Sequence, residues 1–248
     1  MHLHAIGFCG VDESVDCQKL RDISNAYPWV EWGILFRPEK ESTPRFPSME
    51  FVKTLSREKG TLKLAAHLCS SRCQSVLDGD FEFVSQLEAL GFKRVQINAT
   101  AANGVDTSYL ATAAQQVLNC IQAFPQLEFI IQKNNETRPI WEAILETRPS
   151  NVSILFDESV GTGIRVIRFA SPFEGVPCGY AGGIGPSTIV DILESLKKQV
   201  GEEFINSTHR APWIDMESSL RTITDTSDIF DIDKVQLCID QIKEIVLF

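Results

Sequence analysis

The sequence predicts an α/β protein folded as a (β/α)8 TIM barrel, and three observations carry this prediction. The chain has 248 residues, close to the roughly 250 typical of one such barrel. Eight short, nearly continuous apolar segments are typical of parallel strands that are covered on both faces. Segments with apolar residues three and four positions apart lie between them and predict helices. A doubly wound open sheet is the alternative architecture for this alternation.

The predicted strands are Leu3–Phe8, Val30–Phe36, Leu62–Leu68, Arg94–Ile97, Glu128–Ile131, Val152–Phe156, Cys178–Ala181 and Trp213–Met216. The predicted helices are Ser14–Ala26, Ser48–Glu58, Phe81–Leu90, Thr107–Phe124, Thr137–Glu146, Pro186–Lys198 and Asp231–Val246. No convincing helical pattern follows the sixth strand, so we expect the sixth helix to be short or missing. No linker or shift in composition divides the chain, and we expect a single domain over residues 1–248.

The net charge and the cysteine content limit which binding partners and which cellular compartment we expect for this protein. The formal net charge of −10 argues against binding nucleic acid or an anionic membrane, both of which need a basic patch. A small phosphorylated molecule remains compatible, because backbone N–H groups can hold an anion on an acidic protein. The seven cysteines form no CxxC pair, and no secretory signal or membrane-spanning run is visible. We therefore expect reduced thiols and a cytoplasmic location; nothing indicates the oligomeric state.

A glycine-rich segment follows the seventh predicted strand. Gly182 and Gly183 lie in the stretch 179–188, which leads into the helix predicted to begin at Pro186. Glycines let backbone N–H groups approach a ligand closely, and barrels commonly bind phosphate at this place. We therefore expect phosphate binding here; a tight turn that needs positive φ is the alternative explanation of the glycines. Ser218 and Ser219, after the eighth strand, could complete the phosphate site or cap a short helix.

Two titratable residues stand at strand ends, where barrel enzymes place catalytic groups. Asp157 follows the sixth strand and could act as a general acid, or cap a turn. Cys9 ends the first strand and could act as base or nucleophile, or be an inert buried thiol.

Four polar residues are candidates for binding substrate. Gln96 and Asn98 occupy alternate positions at the end of the fourth strand and point the same way, towards a substrate or a layer of the barrel. Arg37 and Arg45 flank the loop after the second strand and could clamp a carboxylate, or lie in solvent. The run from His67 to Cys73 contains metal-ligating types, but its spacing matches no standard zinc pattern, so we expect no metal.

These segments, taken in order, resemble the phosphoribosylanthranilate isomerase family of (β/α)8 barrels, at the strand ends of most of the chain. The motifs that carry the likeness are Cys9-Gly10, Gly33-Ile34-Leu35-Phe36, Thr43-Pro44-Arg45, Val95-Gln96-Ile97, Asp157 with Gly161-Thr162-Gly163, Ala181-Gly182-Gly183, and Asp215 with Ser218. The chain departs from the family at Gly7, where the family has a lysine, and at Asn98, where it has a histidine.

The resemblance implies an Amadori-type isomerisation of a phosphorylated sugar derivative, without a metal or cofactor. Asp157 would protonate the furanose ring oxygen, and Cys9 would then remove a C2 proton from the resulting Schiff base. The departures at Gly7 and Asn98 favour the alternative, a non-catalytic sugar-phosphate-binding or regulatory barrel. An enzyme with a flavin or another phosphate-bearing cofactor would share the same glycine loop.

Overall fold

The computed structural model describes residues 2–57, 61–157, 168–208, 211–244 and 246, with the backbone alone for 201–208. Eight parallel strands form a closed barrel in chain order, and β1 pairs with β8 to complete it. The strands are β1 Ala5–Cys9, β2 Val30–Phe36, β3 Leu64–Leu68, β4 Arg94–Ile97, β5 Glu128–Lys133, β6 Val152–Phe156, β7 Cys178–Ala181 and β8 Trp213–Met216. The (β/α)8 barrel predicted from the sequence is confirmed.

Amphipathic helices surround the barrel and bury their apolar faces against the outward-facing residues of the strands. They are α1 Cys17–Ala26, α2 Met49–Ser56, α3 Ser70–Leu77, α4 Glu82–Ala89, α5 Leu110–Ala123, α6 Arg138–Thr147, α7 Ile189–Thr208 and α8 Ile232–Ile242. None of these helices combines the length and the apolar character needed to cross a membrane.

Several helix boundaries differ from the predicted ones. The sequence did not predict α3, whose first turn is the polar run from Ser70 to Arg72. Pro186 lies in the turn before α7 rather than in its first helical turn, and α7 continues ten residues beyond the predicted end at Lys198, to Thr208. The described residues between β6 and β7, which are 157 and 168–177, contain no helix. Residues 158–167, with the predicted glycine loop, lie outside the described residues.

Charged and aromatic groups fill the barrel interior at the N-terminal end of the strands. The buried Arg94 guanidinium donates to Glu31 at 2.8 Å and lies 3.1 Å from Glu128. It also stacks over the Trp213 ring, 4.3 Å from the ring centroid. Ser153 Oγ donates to Glu128 at 2.7 Å. We call Glu31, Arg94, Glu128 and Trp213 the interior plug; it closes this end of the barrel.

A second ionic network ties together the loops at the opposite, C-terminal end. A short antiparallel hairpin follows β8, formed by β9 Arg221–Ile223 and β10 Asp228–Phe230. The Arg221 side chain is fully buried and donates to Gly10 O at 2.9 Å and to Asp12 Oδ2 at 2.8 Å. Asp12 Oδ2 also accepts the Arg45 backbone N–H at 2.7 Å. The loops after β1, β2 and β8 are therefore held as one unit.

Arg94→Met keeps most of the side-chain volume but leaves the buried Glu31 and the partly buried Glu128 without their counter-charge. We expect a loss of about 3–5 kcal/mol in the free energy of unfolding, measured by urea denaturation. The exposed Arg138, which pairs with Glu142 at 2.7 Å, supplies the control, because Arg138→Met should cost less than about 1 kcal/mol. Similar losses for the two variants would contradict a structural role for the interior plug.

Candidate active site

A cavity of about 370 Å³ opens at the C-terminal end of the barrel strands. Eight of the ten residues predicted for the site line it: Cys9, Gln96, Asn98, Asp157, Gly182, Gly183, Ser218 and Ser219. They come from β1, β4 and the segments after β4, β6, β7 and β8. The cavity thus brings both predicted catalytic residues and both predicted phosphate loops to one place.

The two predicted arginines lie outside this lining. Arg37 Nε donates to Glu39 at 3.0 Å. Arg45 Nη1 donates to Glu217, which does line the cavity, at 3.0 Å, and Arg45 Nε lies 3.5 Å from Asp228. Both guanidinium groups therefore already have carboxylate partners.

Cys9 lies at the centre of a buried cluster formed by three strands. Its thiol donates to Asp215 Oδ1 of β8 at 2.8 Å, and its Sγ lies 3.6 Å from Nε2 of His67 in β3. The three ligating atoms lie within 4.8 Å of one another. We call these residues the Cys9 cluster; the barrel closure assembles it from distant parts of the sequence.

Burial controls the ionisation of the Cys9 cluster. Desolvation, followed by the charge of Asp215, raises the pKa of the Cys9 thiol well above its ordinary value. Desolvation and then the charge of Arg94 lower the pKa of His67 to about 3, so the imidazole is neutral at neutral pH. Desolvation raises the pKa of Asp215 to about 7, against the hydrogen bond from Cys9, which lowers it. The resting thiol is therefore protonated and bonded to a carboxyl group that titrates near neutrality.

Two glycines make room for the Cys9 cluster. A Cβ at Gly7, which pairs with Asp215 across the β1–β8 ladder, would lie 2.0 Å from Asp215 Oδ1. A Cβ at Gly33 of β2 would lie 2.4 Å from Cys9 Sγ. Such distances are impossible for real side chains, so the barrel accommodates these two functional groups only because the adjacent strands carry glycine. The carboxylate of Asp215 occupies the space that a side chain at position 7 would take.

Asp157 lies across the cavity from the Cys9 cluster, directly after β6, and is 4% exposed. Gln132 of β5 donates from Nε2 to Asp157 Oδ2 at 3.1 Å, which holds the carboxyl group in position. Both residues line the cavity. This arrangement places a carboxyl group and a thiol on the walls of the same cavity.

Gln96 and Asn98 share one side of β4, as their spacing predicts. Gln96 Nε2 donates to Asn98 Oδ1 at 2.7 Å, and Asn98 Nδ2 donates to Cys69 Sγ at 3.4 Å. Burial raises the pKa of the Cys69 thiol to about 11, so this thiol stays neutral. The β4 side of the cavity is therefore an uncharged hydrogen-bonding surface.

The loop after β7 has the backbone conformation that its glycines permit. Gly182 and Gly183 have φ values of 108° and 65°, which L side chains rarely adopt. The positive φ required by a tight turn is thus present. Within the described residues, the Gly183 backbone N–H donates no hydrogen bond, and the loop lines the cavity. The same geometry therefore serves a turn and leaves an unbonded backbone N–H in a loop that lines the cavity.

The two serines after β8 have different roles. Ser219 Oγ donates to Ile184 O and thereby ties the β8 loop to the β7 loop. This contact needs Gly185, since a Cβ there would lie 2.3 Å from Ser219 Oγ. Ser218 is exposed to the cavity, and its backbone N–H donates no hydrogen bond within the described residues. Ser218 is consequently the better placed of the two to contact an anion.

Sequence reasoning missed two members of the Cys9 cluster. His67 appeared only within the local run from His67 to Cys73, and Asp215 only in the motif that it shares with Ser218. The alternation of strand residues was the available signal, because His67 and Asp215 occupy inward-facing positions near the ends of β3 and β8. Which of these positions meet Cys9 depends on how the barrel closes.

Comparison with known proteins supports the fold class but does not assign the chain to a family. No protein-family model matches the chain, and no curated protein matches it. Among solved structures, phospho-2-dehydro-3-deoxyheptonate aldolase (DAHP synthase) from Thermotoga maritima is similar, with a TM-score of 0.50 over 98% of this chain and 68% of that one. The two sequences are 12% identical, so the likeness shows the (β/α)8 barrel alone.

Gly7→Ala tests the close packing around Asp215. We expect it to reduce the free energy of unfolding by about 1–3 kcal/mol, because the new methyl group overlaps the carboxylate. In an Asp215→Ala background the same change should cost much less, since its collision partner is gone. Urea denaturation of the four proteins in this cycle measures the difference. Equal costs in both backgrounds would show that the Asp215 carboxylate is not the obstacle.

Proposed function

We propose that this protein is an acid–base isomerase of a phosphorylated sugar derivative, similar in its chemistry to phosphoribosylanthranilate isomerase. The observation that carries the proposal is the shared cavity, whose walls include Cys9, Asp157 and the loops after β7 and β8. Isomerisation of this kind needs an acid, a base and an anchor for the phosphate, all within one substrate length.

The phosphate site of the proposal consists of the β7 and β8 loops. Gly183 and Ser218 offer backbone N–H groups, and Ser218 adds a hydroxyl group. The described lining contains no lysine or arginine, so neutral donors would carry the recognition of the phosphate. Such donors are common in phosphate sites of barrels, where backbone N–H groups point towards the anion.

Asp157 is the acid of the proposed reaction. It transfers a proton to the ring oxygen of the sugar as the bond between that oxygen and C1 breaks, which leaves an open-chain Schiff base. Gln132 keeps the Asp157 carboxyl group oriented through the hydrogen bond at 3.1 Å. The carboxylate that remains can take up a proton again before the next cycle.

Cys9 and Asp215 together form the base. The thiol proton moves along the hydrogen bond of 2.8 Å to Asp215 Oδ1, and the thiolate then accepts the C2 proton of the Schiff base. The C2 electron pair forms a C1–C2 double bond while the π pair of the C1–N double bond moves onto the nitrogen, and tautomerisation of the resulting enol gives the keto sugar. Asp215 thus supplies an acceptor for a thiol that burial otherwise keeps protonated.

A non-catalytic sugar-phosphate-binding barrel is the second candidate. The observation that favours it is the protonated resting state of Cys9, whose pKa is raised by burial and by the adjacent Asp215. Phosphate-ester binding that survives Cys9→Ser and Asp157→Asn, with no turnover across a panel of phosphorylated sugars, would support this candidate over the isomerase.

Asp157→Asn removes the proposed acid while keeping the side-chain shape. We expect kcat on phosphoribosylanthranilate, the first substrate to test, to fall about 10²–10⁴-fold, the usual contribution of a general acid. The decrease in substrate fluorescence as the substrate is consumed measures the rate. Asp106→Asn, at an exposed aspartate that does not line the cavity, should leave kcat unchanged. Turnover that is indifferent to Asp157→Asn would exclude this residue as the acid.

Ser218→Glu places a negative charge beside the proposed phosphate position. We expect the affinity for ribose 5-phosphate, measured by calorimetry, to fall at least about tenfold through like-charge repulsion. Ser85→Glu, on the exposed face of α4, is the matched control and should leave the affinity unchanged. Unphosphorylated ribose reports binding that does not involve the phosphate. An unchanged affinity in Ser218→Glu would place the phosphate elsewhere.

A further inference from the structure

The Cys9 cluster presents three different metal-ligating groups to one point. Cys9 belongs to β1, His67 to β3 and Asp215 to β8, so each ligand projects from a strand of the barrel rather than from a mobile loop. All three side chains are almost fully buried and have their ligating atoms within 4.8 Å of one another. A thiolate, an imidazole and a carboxylate are the ligands of Zn²⁺, whereas Mg²⁺ and Ca²⁺ prefer oxygen alone.

The distances in the Cys9 cluster suit a tetrahedral ion. Zinc bond lengths of about 2.3 Å to sulfur and about 2.0 Å to nitrogen or oxygen place neighbouring ligand atoms roughly 3.5 Å apart. Cys9 Sγ lies 3.6 Å from His67 Nε2, which already fits. Asp215 Oδ1, now 2.8 Å from Sγ as a hydrogen-bond acceptor, would need to move away by roughly 0.7 Å, within reach of a small side-chain rotation.

Two independent features of the surroundings also favour a cation. Glycines at positions 7 and 33 leave the space that Asp215 and Cys9 occupy, so the neighbouring strands are shaped around these two ligands. The described cavity lining contains three carboxylates, those of Asp157, Asp215 and Glu217, and no lysine or arginine. A cation at the cluster would therefore sit in a negative field with its fourth coordination position towards the cavity.

We propose that Cys9, His67 and Asp215 bind one Zn²⁺ ion and that the bound ion blocks the base of the reaction. As the S–Zn bond forms, the thiol proton leaves to solvent, with no change of oxidation state. The thiolate lone pair that would accept the C2 proton is then used in the bond to zinc and is not available as a base. Zinc binding stands on the cluster geometry alone, while the inhibition rests on the proposed isomerase function.

Zinc titration of the metal-stripped full-length protein tests the binding. We expect one equivalent of Zn²⁺ to bind, measured by competition with a chromophoric chelator. Cys9→Ser and His67→Gln should each weaken binding at least about 100-fold, since even changes outside the ligand shell cost 10–100-fold. Cys69→Ser removes a buried thiol that lines the same cavity outside the cluster and should leave the zinc affinity unchanged.

Cobalt substitution gives a readout that needs no variant. Co²⁺ bound to the unmodified protein should show a thiolate-to-cobalt charge-transfer band and the visible spectrum of a tetrahedral site. The site would be overturned if zinc did not bind stoichiometrically or if the charge-transfer band were absent. It would also be overturned if the Cys9→Ser and His67→Gln variants bound zinc as tightly as the unmodified protein. Thermal unfolding of each variant verifies that it is folded.

Turnover measurements separate the zinc site from the proposed function. If the metal-free protein isomerises its substrate, one equivalent of Zn²⁺ should abolish turnover and a chelator should restore it. Full turnover of the zinc-loaded protein would overturn the inhibition. A protein that binds zinc at the cluster but shows no turnover in either state would refute the isomerase while supporting the metal site.

Discussion

The pairing of the first strand with the last is the constraint on which the site depends. The β1–β8 ladder sets Gly7 opposite Asp215 and brings the Cys9 thiol to a carboxylate 206 residues away in sequence. The same closure sets the glycine loop after β7 and the serine segment after β8 beside the end of β1. Parallel neighbours have no hairpin between them, so ladder hydrogen bonds, the interior plug and the Arg221 network hold this seam.

The strands could be predicted because burial on both faces leaves a clear mark in the sequence. Val152–Phe156, for example, is apolar except for Ser153, and its predicted and observed bounds agree. The helix α3 could not be found in this way, since it starts with polar residues and buries few apolar ones, mainly Cys73, Val76 and Leu77. The hairpin of β9 and β10 depends on the buried Arg221, whose partners are distant in sequence.

In the candidate site, too, residues marked by their local sequence could be predicted, whereas contacts between distant residues could not. Asp157, Gly182 and Gly183 could be predicted because each follows a strand, and counting strands places them at one end of the barrel. The Cys9 cluster could not be assembled, since His67 lies 58 residues from Cys9 and meets it only across the barrel. Nor could the sequence show that Arg45 has Glu217 as a partner, because that pairing joins loops from opposite ends of the chain.

The interior plug also restricts how molecules enter and leave the cavity. Arg94 and Trp213, both nearly inaccessible to solvent, block the axis of the barrel, so the cavity has no passage through the far end. A molecule that enters the cavity must leave through the same opening, at the C-terminal end of the strands. A molecule that occupies the cavity must therefore leave before another can take its place.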